Sequence, residues 1–176
     1  MGCGASSVEP QESIIAEPSP AVIEFGIVAS EVKRTWPDVK KIDRLGEKTF
    51  AYLLHRYPEF KPFYRIPEAY KSEAELLDTE EIKEPGERFI RWYEDIIEHS
   101  DTKFDEKIHE KAVELNNQGV GRTQVKHYSN SLVHVINYEL QQELTTEEKH
   151  SWQIFCTKVS NGLAAELSKF PRKSIV

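Results

Sequence analysis

Residues 104–120 read FDEKIHEKAVELNNQGV, and this stretch carries the helix on which the fold assignment depends. Its apolar residues recur every three or four positions, as on one face of an α-helix: Phe104, Ile108, Ala112 and Leu115. Asn116, Asn117 and Gly119 follow them, and these residue types are common where helices end. We therefore expect a helix that ends near Asn117.

The same apolar spacing recurs on both sides of this segment. Upstream it predicts helices from about Ile27, from about Ile42 and behind Ile82, and Pro58 opens a short helical segment through Tyr64. Downstream it predicts a helix around residues 125–136 and a last helix whose inward residues run from Trp152 to Leu167. Residues 66–78 are expected to hold at most one short helix. No window alternates with a period of two, so the predicted fold class is all-α.

Two four-residue stretches have the pattern of an N-terminal capping box. Asp78-Thr79-Glu80-Glu81 is expected to cap the helix behind it, with Asp78 as the cap and Glu81 reaching back. Thr145-Thr146-Glu147-Glu148 is expected to cap the last helix. Pro37 is expected to bend or end the first helix, and Pro85 to interrupt the helix behind Ile82.

Composition limits the classes of function. A chain of 176 residues suits one domain with a tail, and a net charge of −7 without a basic stripe argues against nucleic-acid binding. Its two cysteines, Cys3 and Cys156, cannot form a disulfide framework and suit a reducing compartment. No apolar run approaches the roughly 18 to 20 residues that span a bilayer, and no signal peptide is recognisable. We expect a soluble chain that faces the cytoplasm.

The first six residues, MGCGAS, fit the pattern for N-myristoylation of Gly2. One myristoyl chain binds membranes only marginally, with a constant of about 10⁴ M⁻¹, so stable anchoring needs a second signal. A polybasic segment is missing, because the first lysine or arginine is Lys33. S-palmitoylation of Cys3 is the expected second signal, and the predicted location is the cytoplasmic face of a membrane, the plasma membrane in particular. Residues 1–24, rich in proline, small and acidic residues, are expected to form a flexible acylated tail.

Several marker residues, taken in order, resemble those of the globin fold over about residues 28–170: Trp36, Gly46, Pro58, Gly86, Val120 and Trp152. The resemblance implies seven to eight helices in a globin-like domain at residues 25–171, followed by a short tail at 172–176. It also implies that Gly46 and Gly86 lie where two helices cross, with no side chains to separate the backbones.

Globins hold haem iron with a proximal histidine, and the resemblance puts that position at Glu114 or Leu115. The distal position falls on Pro85, which has no side-chain donor, and a nearby apolar pocket position falls on Phe89. A phenylalanine that contacts haem in the family corresponds to Tyr64 or Phe63. The resemblance thus implies a haem site without its usual iron ligand.

His109 is the only candidate iron ligand that the sequence offers. It precedes the expected position by five or six residues, which moves it about 8 Å along a helix and turns it off the required face. We therefore expect no cofactor and no metal, with haem b as the alternative. Bulky residues would then fill the pocket, and Phe63, Tyr64, Phe89 and Leu115 are the candidates; a small apolar ligand such as a fatty acid is a further possibility.

No nucleophile elbow, Walker loop, C-x-x-C or dinucleotide motif occurs, so we expect no enzymatic activity. The terminal Ser174-Ile175-Val176 resembles a PDZ-domain ligand that would bind through Val176, or else forms an unstructured end after Pro171. The leading hypothesis is a membrane-tethered globin-fold sensor or adaptor that does not bind haem through a proximal histidine. The alternative is a haem-binding globin for oxygen binding or for oxygen or redox sensing at the membrane.

Overall fold

The computed structural model describes residues 20–171, with side chains from Glu24 onward. Within this range the chain forms seven α-helices and two short 3₁₀ segments, Pro58–Tyr64 and Glu80–Ile82, and no strand. The helices are α1 (Pro20–Val39), α2 (Leu45–Arg56), α3 (Glu73–Leu77), α4 (Lys83–Glu98), α5 (Phe104–Asn117), α6 (Val125–Glu139) and α7 (Thr146–Leu167). The predicted all-α class is confirmed. The predicted lipidation sites Gly2 and Cys3 and the predicted PDZ ligand at Val176 lie outside the described residues.

The first helix begins earlier than the sequence pattern predicted. α1 starts at Pro20 rather than near Ile27, because Phe25 gives its early turns an aromatic partner on α5 and α7. The Phe25 ring centroid lies 5.0 Å from that of Phe104 and 5.9 Å from that of Phe155. Pro37 lies in the last turn of α1, so the helix ends soon after it, as expected.

One of the two predicted capping boxes is wrong. Asp78 has helical backbone angles and ends α3, where its N–H donates to the Ala74 carbonyl, so it cannot act as an N-cap. The capping box in this region belongs instead to Ser72 and Glu75, at the start of α3. The box formed by Thr145 and Glu148 at the start of α7 is confirmed.

Pro85 does not interrupt a helix. It lies in the first turn of α4, where a missing N–H costs little because no intrahelical acceptor precedes it. One residue later, Gly86 meets Gly46 where α4 crosses α2. A Cβ added to Gly86 would lie 2.7 Å from the Gly46 carbonyl carbon, closer than real Cβ contacts come. The crossing that the resemblance implied is therefore confirmed, and it leaves no room for a methyl group.

The predicted apolar faces form one buried core. Trp36 on α1 and Trp152 on α7 meet with their ring centroids 5.9 Å apart. The Trp152 indole N–H donates to the Thr35 hydroxyl at 3.0 Å, which satisfies its polar atom inside the core. Among residues 20–171, no helix combines the length and apolar composition needed to cross a membrane.

Candidate functional site: a closed aromatic pocket

A small, mostly apolar pocket lies among the described residues, between the 3₁₀ segment at Pro58–Tyr64 and helices α2, α4, α5 and α6. Four residues that the sequence assigned to a haem-pocket position line it: Tyr64, Pro85, Phe89 and Leu115. They come from three separate segments, and the fold brings them together. The space they leave is small, about 50 Å³.

Aromatic rings fill most of the pocket. Phe50 on α2 is nearly central, with ring centroids 5.0 Å from Tyr64 and 5.7 Å from Phe89, both edge-on. Phe89 in turn lies 4.9 Å from Tyr93. Tyr128 on α6 completes the cluster at 6.1 Å from Phe50. Edge-to-face packing at these distances is favourable beyond the area it buries, by about 0.5–1.5 kcal/mol for a pair.

Two tyrosine hydroxyls close the pocket on the side of the 3₁₀ segment. The Tyr64 and Tyr128 hydroxyl oxygens lie 2.7 Å apart and share a hydrogen bond. Burial is the main cause that raises the pKa of Tyr64, and the neighbouring Tyr128 hydroxyl raises it further. Burial also raises the pKa of Tyr128, although its hydrogen bond with Tyr64 acts in the opposite direction. Both side chains are therefore neutral phenols at physiological pH.

The floor of the pocket holds a small buried polar group. The Tyr93 hydroxyl lies 2.9 Å from the Ser129 hydroxyl, and both residues are almost wholly inaccessible to solvent. Burial raises the pKa of the Cys156 thiol behind them to about 12, so that it stays protonated and unreactive. The Tyr93 and Ser129 hydroxyl groups satisfy each other by this hydrogen bond, and neither they nor the Cys156 thiol carries a charge.

Charged residues from α4 and α5 stand at the mouth. The Lys111 ammonium pairs with the Glu114 carboxylate at 2.8 Å and lies 5.6 Å from the centre of the Trp92 ring. Arg88 lines the same mouth and is half exposed, with Glu84 at 3.8 Å as its nearest carboxylate partner. Glu114, one of the two predicted proximal positions, is thus tied to a lysine at the rim.

His109 does not face the pocket. Its Nδ1 lies 2.9 Å from a carboxylate oxygen of Glu166 on α7, and its side chain is 59% exposed. The described residues that line the pocket include no histidine. No group of three or more histidine, cysteine, aspartate or glutamate side chains in residues 20–171 is arranged to hold a metal ion.

The residues present do not fit an iron porphyrin in this arrangement. Pockets for drug-sized ligands and cofactors measure about 300–1,000 Å³, far more than this cavity offers. A tyrosine can hold haem iron only as a phenolate, and the raised pKa of Tyr64 and of Tyr128 opposes that form. Pro85 adds no side-chain donor on the opposite side.

A second groove borders the pocket, and Tyr64, Pro85, Arg88 and Gln118 line both. It measures about 440 Å³ and is lined by residues that include Phe63, Arg65, Glu84 and Val120. The expectation that Phe63 fills the pocket is wrong, because Phe63 is 44% exposed and lines this groove instead. Tyr64 is the residue of the pair that turns inward.

The sequence did not single out Phe50, Tyr93 or Tyr128 as pocket residues. Each lies on the apolar face of a helix, and a buried aromatic residue gives no other local signal in the sequence. Tyr128 is 64 positions from Tyr64, and nothing in the local pattern pairs the two hydroxyls.

Comparison with known proteins agrees with this architecture. The family model described as Globin matches residues 47–163, more than half of the chain. The matched range contains every residue that lines the pocket. A search of curated proteins found no match to the chain.

Proposed function

Because this chain belongs to the globin family, we propose that it uses the globin scaffold as a membrane-tethered sensor or adaptor, without iron held by a proximal histidine. In this proposal the chain carries no cofactor and catalyses no reaction. It responds to a non-haem ligand or to a protein partner at the cytoplasmic face of a membrane. Acyl groups on Gly2 and Cys3 would hold it there.

The packing of the pocket is the observation that supports the proposal most directly. At the positions that the resemblance assigns to a haem pocket, side chains pack against one another, with Phe50 touching several of the rings and the Tyr64–Tyr128 hydrogen bond at the edge. Opening it for a porphyrin would break that bond and separate several ring contacts. His109 supports the proposal too, since it is engaged with Glu166 at the surface.

An absorption spectrum tests the iron-free part of the proposal. The full chain is expressed with a haem precursor, purified and then titrated with haemin. We expect no stoichiometric Soret band and no saturable spectral change. The control variant is His109→Ala, which should give the same spectrum as the unmodified chain. A stoichiometric Soret band that disappears in His109→Ala would refute the proposal in favour of the haem-binding alternative.

Cell fractionation tests the membrane tether. The full chain should sediment with membranes, and Gly2→Ala should move it to the soluble fraction by removing the acceptor of the myristoyl chain. Cys3→Ser should give weak and reversible binding, since a single acyl chain binds only with a constant of about 10⁴ M⁻¹. Gly4→Ala, a glycine change at a position that the motif leaves free, is the matched control. Membrane association of Gly2→Ala equal to that of the control would rule out this tether.

A further inference from the structure

The negative charge of the chain is unevenly distributed along its sequence. The protein has 30 aspartate and glutamate residues and a net charge of −7, yet residues 115–138 contain neither residue type. The two carboxylates that bound this stretch are paired with lysines: Glu114 with Lys111 at 2.8 Å, and Glu139 with Lys48 at 2.9 Å. The connection between α5 and α6, and nearly all of α6, therefore carry no negative charge of their own.

The fold places two arginines beside this stretch. Arg65 and Arg88 line the second groove together with Val120. Arg88 has one carboxylate partner, Glu84 at 3.8 Å, and Glu84 is 80% exposed, so water screens the pair. Among residues 20–171, the Arg65 side chain has no ion pair or hydrogen bond. Both guanidinium groups are therefore available to an anion outside the protein.

Two more cations follow on the connection and at the start of α6. Arg122 lies two residues after the groove residue Val120, and Lys126 lies in the first turn of α6. Both are exposed, and within the described part of the chain neither side chain has an ion pair or a hydrogen bond. The next residue, His127, lies 5.9 Å from Phe60 between ring centroids. The turn that carries Lys126 therefore packs against the 3₁₀ segment that borders the groove.

An exposed aromatic ring lies among these cations. Phe63 lines the groove and is 44% exposed, and its ring centroid lies 6.1 Å from that of the buried Phe60. The groove and the 3₁₀ segment supply two carboxylates, Glu84 and Glu59, so the four cations outnumber them. Proteins that bind membrane surfaces combine these two features: cations bind anionic head groups, and apolar side chains enter the boundary between head groups and acyl chains.

These cations form a basic surface only after folding. They come from three places in the chain: α4, the residue behind the 3₁₀ segment, and the connection into α6. A membrane suits such a surface, because its anionic head groups are also spread over an area. The proposed acyl tether would hold the domain beside that membrane, so that even a weak contact is populated.

We propose that one face of the domain, the basic face, binds the surface of an anionic membrane, and that it consists of Phe63, Arg65, Arg88, Arg122 and Lys126. The inference rests on the proposed function, because the tether concentrates the domain at the membrane. It adds which face of the domain lies on the lipid. Residues 1–19 can span about 60 Å at most, which is long enough to permit this orientation.

Vesicle sedimentation tests the basic face without the tether. The full chain is made in a host without N-myristoyltransferase, so that Gly2 carries no acyl chain. It is mixed, at millimolar lipid, with vesicles of phosphatidylcholine alone or of phosphatidylcholine with phosphatidylserine. A chain of net charge −7 without a basic face would be repelled by the anionic vesicles.

We expect the opposite result. Each lysine or arginine near an anionic surface strengthens binding about fivefold, so phosphatidylserine should strengthen binding at least about tenfold. The gain should disappear at about 1 M salt, where the Debye length falls to about 3 Å. Binding that phosphatidylserine leaves unchanged or weakens would overturn the proposal.

A matched pair of lysine variants locates the binding surface. Lys126→Gln should weaken binding to the phosphatidylserine vesicles about fivefold. Lys103→Gln removes another exposed lysine without an ion pair, at the opposite end of α5 and about 22 Å along its axis from the groove residue Gln118. It should change binding by less than about twofold. Equal losses would show that the vesicles respond to net charge alone, and would overturn the basic face.

The aromatic ring has its own matched control. Phe63→Ala should weaken binding about fivefold, because the ring leaves water when it enters the membrane boundary. Ile27→Ala removes an apolar side chain that is 68% exposed on α1, near the Phe25 ring that packs against the start of α5. It should change binding by less than about twofold. Equal effects of the two variants would overturn the placement of Phe63 in the membrane.

Failure of this inference is distinguishable from failure of the tether. At about 1 M salt the basic face no longer binds, so the acyl chains alone retain the protein in the membrane fraction. Unacylated protein that ignores phosphatidylserine would overturn the basic face, while salt-resistant sedimentation of the unmodified chain would leave the tether standing. Equal sedimentation of Gly2→Ala and the unmodified chain at that salt concentration would overturn the tether, whatever the vesicles show.

Discussion

Two successive turns of α4 pack in opposite ways. At Gly86 the helix backbone touches the backbone of α2 at Gly46, and an added methyl group would collide with main-chain atoms. One turn later, Phe89 packs by side chain alone against other rings, beside a cavity of about 50 Å³. The first contact cannot yield without moving a whole helix, while the second can yield by rotating side chains. The rigid frame of the molecule therefore lies at the α2–α4 crossing, and its adaptable part lies at the pocket.

The largest effect is expected from adding a methyl group at the crossing. Gly86→Ala puts a Cβ 2.7 Å from the Gly46 carbonyl carbon and 2.9 Å from the Glu47 nitrogen. It should lower the free energy of unfolding by about 4 kcal/mol, beyond the about 1–3 kcal/mol of ordinary overpacking, because backbone atoms must move. Urea unfolding followed by circular dichroism measures it.

Gly26→Ala is the matched control for that change. Gly26 also lies in a helix, but a Cβ there would meet nothing within 4 Å. Alanine should stabilise the protein by about 0.5–1 kcal/mol through helix propensity alone. A Gly86→Ala variant as stable as the unmodified chain would show that the crossing is not rigid.

A pair of leucine truncations compares the frame with the pocket directly. Leu53 on α2 is fully buried in the core, so Leu53→Ala should cost about 3 kcal/mol by leaving a cavity. Leu115→Ala should cost about 2 kcal/mol, the low end of the range for such truncations, because Leu115 is 9% exposed and already borders empty space. Denaturant unfolding measures both losses in free energy, from the shift of each midpoint, provided that the slope of free energy against denaturant concentration is unchanged. Equal costs would contradict the distinction between the two regions.

A smaller effect is expected at a polar contact between the first and the last helix. Glu148 on α7 accepts a hydrogen bond from the Thr145 N–H at 2.7 Å and pairs with Arg34 on α1. Both contacts lower the pKa of the Glu148 carboxyl group, and the bond from Thr145 contributes more than the ion pair. A lowered folded-state pKa means that the stabilisation exists above the unfolded pKa and is lost as pH falls through the folded value. Glu148→Gln should therefore cost about 1 kcal/mol at pH 7.

The pH dependence separates charge from shape in this variant. The difference between Glu148→Gln and the unmodified chain should shrink in acid, below about pH 4, as the native carboxyl group becomes protonated. Glu147→Gln changes an exposed carboxylate in the same turn and should cost only a few tenths of a kcal/mol, about 0.3, through the helix dipole. If the loss of stability in Glu148→Gln does not change with pH, the Glu148 side chain stabilises the fold by packing and not by its charge.

Much of the frame was predictable from local pattern. Apolar faces recur with the helical period, and the predicted inward residues of α5, from Phe104 to Leu115, are all buried. The two glycines at the crossing were also identified correctly. Capping was predictable only in part: the box at Thr145 was predicted correctly, the box at Ser72 was missed, and Asp78, predicted as a cap, ends α3 instead.

The sequence by itself determined where most of the helices lie, because apolar spacing along one helix is a local property. The resemblance to globins, and not that spacing, implied that two helices cross at glycine and put the proximal position at Glu114 or Leu115. Only the tertiary structure decided that Tyr64 bonds to Tyr128, that Phe63 turns outward, and that His109 pairs with Glu166. Side chains far apart in the chain meet only once the crossing angles of whole helices are set, and a local period carries no information about those angles.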